Sequence, residues 1–168
     1  RRSVWTPKQK LVRLLWGTLG RIVWVVLPPA RASLLRLFGG RVGARVQLHR
    51  SVEITIPWNI VIGDDVEIGP RVILYSLGVI TIGDRCVLDY RAHLCAGTHD
   101  MRDSRFPLER PPITVGDDCF VGIDAFLGPG VTIGPRTRVH PRASVYRSEE
   151  GETDLVGNPA RRVAPDAV

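Results

Sequence analysis

His99 is the penultimate residue of the stretch Leu-Cys-Ala-Gly-Thr-His-Asp (residues 94–100), which runs into a polar, proline-rich segment, Met-Arg-Asp-Ser-Arg-Phe-Pro-Leu-Glu-Arg-Pro-Pro. An imidazole titrates near pH 6.5, so a neutral histidine can take a proton from a hydroxyl at physiological pH. Three roles are open to it: general base, metal ligand, or satisfied surface residue. The adjacent Asp100 either orients the imidazole and stabilises its charged form or is an ordinary loop carboxylate. A metal centre would need more donors at suitable spacing. His93 lies six residues earlier and reads as structural, with an interface site role as its alternative, while His49 and His140 fall at turn-like surface positions. Cys86, Cys95 and Cys119 form no CxxC pair and show no zinc spacing.

The elements around His99 are set by a six-residue period. Val42, Leu48, Ile54; Ile62, Ile68, Leu74; Ile82, Leu88, Leu94; Val115, Val121, Leu127; and Ile133, Val139, Val145 mark fifteen hexads, each led by Val, Ile or Leu. Glycine follows in eight of them, which suggests turns needing unusual backbone angles. The position four after each aliphatic is small or β-branched except at Trp58 and Glu149. A fixed short period signals a repeat architecture. Six residues suit a short strand plus a turn, and interruptions fall after every third hexad. Three hexads therefore form one coil, and about five coils stack as a triangular prism with strands about 4.8 Å apart. The fold class is all-β, a parallel β-helix whose hand the pattern leaves open. Stacking predicts that Cys86 and Cys119 are core neighbours without a disulfide. The one large interruption starts at His99: 21 residues separate Leu94 from Val115 where six would do. Loops of this length in compact domains usually carry function.

Residues 1–40 form a separate basic, helical segment. Thr6-Pro7 is a helix start, and Val12, Leu15, Leu19, Ile22 and Val26 make a stripe widened by Trp16 and Val23. Pro28-Pro29 ends the helix, and a second short helix around residues 34–38 stops at Gly39-Gly40. Arg13 and Arg21 break the apolar run, against both a membrane span and a signal peptide, although Ala30-Arg31-Ala32 resembles a cleavage site. Two readings remain. The helix packs on the main domain, or residues 1–30 lie on a membrane surface through their Trp and Arg residues. The β-helix spans 41–147 with an active-site loop at 100–114, and residues 148–168 form a C-terminal tail.

Charge narrows the function classes. The net charge is +6, yet residues 1–50 hold 11 basic and no acidic side chains, leaving 12 basic and 17 acidic for the rest. A basic face confined to one segment argues against nucleic-acid binding and for a local anionic contact. Three cysteines without a pairing pattern point to a reducing, cytoplasmic setting, at the inner face of a membrane if the helix binds one.

The hexads, with "IPWNIVIGDDVEIG", "GVITIGDRCVLD", "LCAGTHD", "AFLGPGVTIG" and "VGNPARRV", resemble the left-handed β-helix hexapeptide acyltransferases. The colanic-acid-type and maltose- or galactoside-type O-acetyltransferases are the most similar, over about residues 34–163. The resemblance implies a left-handed helix, a homotrimer, and acetyl-CoA in the groove between adjacent prisms. It also implies a loop reaching toward a neighbouring subunit, His99 as catalytic base, a carbohydrate acceptor and no metal. Phe120 and Gly122 would line the pantetheine path, although relatives usually carry tryptophan where Phe120 stands. His-Pro-Arg-Ala-Ser (140–144) replaces a Gly-Ala-Gly-Ser that relatives often have, and Pro141 has no N–H to offer the cofactor. Arg147, Arg161 and Arg162 are candidates for the CoA phosphates or are solvated charges. Asp89, Tyr90 and Tyr75 are candidates for facing the acceptor. The implied activity is O-acetyl transfer to a sugar hydroxyl of a surface polysaccharide or its lipid-linked precursor. A non-catalytic trimeric scaffold and a γ-carbonic-anhydrase-like zinc enzyme are the alternatives on the same fold.

Overall fold

The computed structural model describes residues 5–163. From Arg41 the chain winds as a three-faced parallel β-solenoid of about six turns. The first face stacks Arg41–Val42, Ile60–Ile62, Ile80–Ile82, Ile113–Val115 and Thr132–Ile133. The second stacks Gln47–Leu48, Glu67–Ile68, Val87–Leu88, Phe120–Val121, Arg138–Val139 and Asp154–Val156, with Arg161–Val163 antiparallel at its edge. The third stacks Glu53–Ile54, Ile73–Tyr75, His93–Cys95, Phe126–Leu127 and Ser144–Val145. Register places aliphatic over aliphatic: Leu48, Ile68, Leu88, Val121, Val139 and Leu155 form one continuous column. Fourteen of the fifteen hexad aliphatics are buried, and Val42 at the first turn is half-buried. Each burial contributes about 1.5–3 kcal/mol, and that sum sets the register of every coil.

Two features differ from expectation. The segment expected as a tail adds a sixth turn: Glu149 bridges Ile133 on the first face, and Asp154–Val156 pairs with Arg138–Val139 on the second. The hexad glycines also have a different role. None of the eight adopts a positive φ. They allow close approach between turns; a Cβ on Gly122 would stand 2.9 Å from the Pro141 nitrogen of the turn above. The left-handed backbone at one corner belongs instead to Arg45, Asp65, Arg85, Asp118, Arg136 and Glu152. Stacked in that order they alternate in sign and pair as Arg45–Asp65, Arg85–Asp118 and Arg136–Glu152. Arg85 holds Asp118 below the usual carboxylate range by hydrogen bonding. Such exposed pairs contribute at most about 1 kcal/mol each.

Cys86 and Cys119 are free, buried and on successive turns of one corner, as the stacking predicts. Cys86 donates to the Gly116 carbonyl at 3.0 Å, and the neighbouring thiol and burial push its pKa up.

Three helical pieces cover the first turn: α1 (Pro7–Leu15), α2 (Arg21–Val26) and α3 (Arg31–Leu37), with a π-helical turn at Trp16–Gly20 joining the first two. Thr6 caps α1, its Oγ1 accepting from the Gln9 N–H while Gln9 Oε1 accepts from the Thr6 N–H. The end of the prism is closed by Trp24 and Leu35, both fully buried, with Trp16 packed against them and donating to the Ile54 carbonyl at 2.9 Å. The buried Arg31 guanidinium donates to the Trp24 and Leu48 carbonyls, tying the helices to the first coil.

Candidate active site

The third coil ends differently from the others. Leu94 and Ala96 enter the core. Thr98, four after Leu94 and so at the position that is small or β-branched in the hexads, leaves the prism with His99 and pairs antiparallel with Leu108–Glu109. The physical reason is the insertion itself: with 15 extra residues the chain has no next hexad to enter, so the backbone pairs with its own returning strand. At the tip, Phe106 N–H donates to the Asp103 carbonyl at 2.8 Å, and Phe106 takes a left-handed φ of 46°. Arg105 closes on Asp103 and holds that carboxyl below its usual range.

This hairpin orients His99. Its Nδ1 lies 2.7 Å from the Phe106 carbonyl oxygen, which can only accept, so Nδ1 carries the proton. In the neutral ring the other nitrogen, Nε2, is then the acceptor, and the residue is exposed. A neutral imidazole with its tautomer set by a backbone carbonyl is the form a general base requires. Asp100 does not perform this orientation. Its Oδ1 accepts from the Arg102 N–H at 2.9 Å, and its own N–H donates to the Pro107 carbonyl.

The other candidate residues separate into groups. Tyr75 lies on the third face one coil before His99, its ring edge against Gly97, two residues from the histidine. Asp89 and Tyr90 occupy the corner leading into that face. Asp89 accepts from the Tyr90 N–H, and Arg71 and Arg91 lie over the Tyr90 ring. His93 is half-buried on the third face, edge-on to Phe126 at 5.4 Å, and its Nε2 has no hydrogen-bond partner. Burial holds its pKa below the ordinary histidine value, and Glu53 pulls in the opposite direction.

Arg147, Arg161 and Arg162 come together, lining one groove of about 420 Å³ at the last turn with Tyr146, Leu155 and Pro159. Arg162 is steadied by Thr153 Oγ1 and the Gly151 carbonyl. Phe120 and Gly122 lie elsewhere, on the second face, where Phe120 stacks between Val87 and Arg138. Sequence reasoning missed Phe106, whose carbonyl sets the tautomer, because the loop carries no period. It also missed Tyr146 in the groove, although Tyr146 holds the outward position directly after a hexad aliphatic.

Comparison with known proteins bears on the fold and the family. The family described as the hexapeptide repeat of succinyl-transferase matches residues 59–89 and 112–139, the stretches on either side of the hairpin. The Escherichia coli (strain K12) protein WcaF, which carries the name of a colanic acid biosynthesis acetyltransferase, is 42% identical over 152 residues, covering 89% of this chain and 84% of its own. A hexapeptide-repeat-containing acetyltransferase of Vibrio cholerae O1 biovar eltor, solved with acetyl coenzyme A, superposes with a TM-score of 0.87 at 24% identity over 98% of this chain and 92% of its own. A galactoside acetyltransferase in complex with coenzyme A gives 0.84 at 21% identity over 96% and 84%. With a relative this similar along nearly its whole length, and hexads stacked in register through six turns, the chain belongs to the hexapeptide-repeat acetyltransferase family.

Proposed function

We propose that this protein transfers an acetyl group from acetyl-CoA to a sugar hydroxyl of a surface polysaccharide or its lipid-linked precursor, with His99 as general base. The observation that carries the proposal is the 2.7 Å contact between His99 Nδ1 and the Phe106 carbonyl, which leaves Nε2 free to accept a proton. A sugar hydroxyl is a poor nucleophile at neutral pH. As its oxygen attacks the thioester carbon, its proton passes to Nε2, a transfer of the kind that contributes about 10²–10⁴-fold in rate. The negative charge gathers on the former carbonyl oxygen and is met by a backbone N–H. The C–S bond then breaks, and the imidazolium returns the proton to the leaving thiolate, giving free CoA and the sugar ester. No protein nucleophile is required.

The groove holding Arg147, Arg161 and Arg162 suits the rest of the donor, with guanidinium groups for phosphates beside the apolar Leu155 and Tyr146. Tyr75, nearest the hairpin root, fits the acceptor side, with Asp89 and Tyr90 at the corner leading into the same face and Asp100 shaping the hairpin. Phe120 and Gly122 form a surface that a neighbouring prism of a homotrimer would face. The names of the acetyltransferases above support acetyl transfer to a carbohydrate.

The test is transfer of labelled acetyl from acetyl-CoA to a panel of nucleotide sugars and lipid-linked sugars. His99→Ala should lose at least about 100-fold in rate while its sedimentation mass stays that of the parent protein. Retained activity would remove His99 from the base role.

A further inference from the structure

The N-terminal helix packs on the prism through one face and leaves a second apolar face uncovered. The packed face is Trp16, Gly20 and Trp24, at four-residue spacing. The outer face carries Leu11, Leu14, Leu15, Leu19, Ile22 and Val26 at spacings of three and four; all six are exposed, and all but Leu15 by more than half of their surface. Scattered exposed leucines need no explanation, but a continuous stripe of them marks an interaction site.

The two arginines that interrupt this run in the sequence do not interrupt it in space. Arg13 lies over the Trp5 ring, 4.9 Å from its centroid, and Arg21 donates to the Val52 carbonyl at 3.0 Å. Both charges turn off the stripe, which stays wholly aliphatic. What borders it is positive: Lys8 and Lys10 are exposed on the first turns, and no acidic residue occurs before Glu53. No helix among the described residues is long and apolar enough to cross a membrane.

We infer that this stripe docks in the plane of an anionic phospholipid leaflet, its aliphatic side chains entering the headgroup–acyl boundary and its lysines meeting the phosphates. The charge pattern selects this occupant. Two copies of the face brought together would oppose two basic borders, whereas anionic headgroups complement one. Docking also acts on the site described above. Arg110, on the returning leg of the His99 hairpin, also lies over the Trp5 ring, 4.3 Å from its centroid, so Trp5 links the helix start to the hairpin. A lipid-linked acceptor would meet the base at the membrane surface. This consequence rests on the acetyl-transfer reading, whereas docking itself does not.

The experiment is co-sedimentation of the full chain with phosphatidylcholine vesicles with and without phosphatidylglycerol. Binding should require phosphatidylglycerol and weaken as salt rises. The double substitution Leu19→Asp and Ile22→Asp should lower the vesicle-bound partition at least about 10-fold, because it removes two aliphatic side chains from the stripe that would enter the lipid. Its melting temperature and solution mass should match the parent protein. Failure to bind anionic vesicles, or equal binding by the double variant, would overturn the inference. A lower solution mass for the variant would also overturn it, by assigning the stripe to a second copy of the chain. Transfer to soluble acceptors without vesicles reports the acetyltransferase reading separately.

Discussion

Replacing Gly78 with alanine would put a methyl group where the returning leg of the His99 hairpin crosses the prism. Gly78 is buried at the corner before the first-face strand of the third coil. A Cβ there would stand 2.6 Å from the Arg110 carbonyl oxygen and 2.7 Å from that of Pro111. Carbon–oxygen contacts settle near 3.3 Å, so the leg must retreat by about 0.7 Å. These neighbours are backbone, so no side chain can swing aside. The adjacent anchor of the leg, Ile113 N–H to the Val79 carbonyl at 2.9 Å, lies in the path of that shift. Overpacking of this kind costs about 1–3 kcal/mol, a fall in melting temperature of about 2–12 °C for a chain of this size. The catalytic consequence is larger. His99 is held only by the hairpin, and displacement of a reacting group by about 1 Å can cost about 100-fold. Gly78→Ala should therefore lower kcat about 10- to 100-fold and leave KM for acetyl-CoA unchanged, because the arginine groove proposed for the donor belongs to the last turn. Gly17→Ala is the control. A Cβ at Gly17 would meet nothing within 4 Å, so alanine should stabilise the helix by up to about 1 kcal/mol without touching activity. Scanning calorimetry and steady-state kinetics read both variants. A Gly78→Ala protein with parental melting temperature and kcat would refute the claim that the leg's position is what seats the base.

Two further outcomes follow from the site. Phe106 holds φ 46°, and its carbonyl sets the His99 tautomer. Phe106→Gly should retain activity, whereas Phe106→Ile, β-branched in a left-handed conformation, should cost about 1–2 kcal/mol locally and lower kcat about 5- to 30-fold; equal rates for the two would show that the carbonyl does not matter. His93 is held below the ordinary histidine value by burial, so the unfolded chain binds its proton more readily than the folded one. Its contribution to stability is present above about pH 6.5 and is lost as pH falls through the folded value. Melting temperature should therefore drop with acidification below about pH 6.5, and His93→Gln should flatten that slope. An unchanged slope would assign the acid sensitivity to other groups.

Whether a residue could be read from the sequence depended on whether a period governed it. The hexads mark the aliphatic columns that run through the core, because an inward side chain recurs with the coil, and the same regularity exposes His99 at the root of the break. Inside the break no period operates. Phe106 was therefore unreadable, although its carbonyl decides which nitrogen of His99 is basic. Nor does a period say which of two apolar faces is buried. Leu15, Leu19, Ile22 and Val26 form the cleaner stripe in sequence, yet Trp16 and Trp24 are the ones that close the prism. The open end of a solenoid is broad and flat, and two edge-to-face indoles 5.8 Å apart cover it where slender aliphatics would leave gaps. Once the tryptophans are committed inward, helical geometry turns the leucines out. The uncovered stripe is thus a consequence of how the first coil is capped, and with the exposed Lys8 and Lys10 at its start it presents the apolar face and positive border that the proposed lipid docking requires.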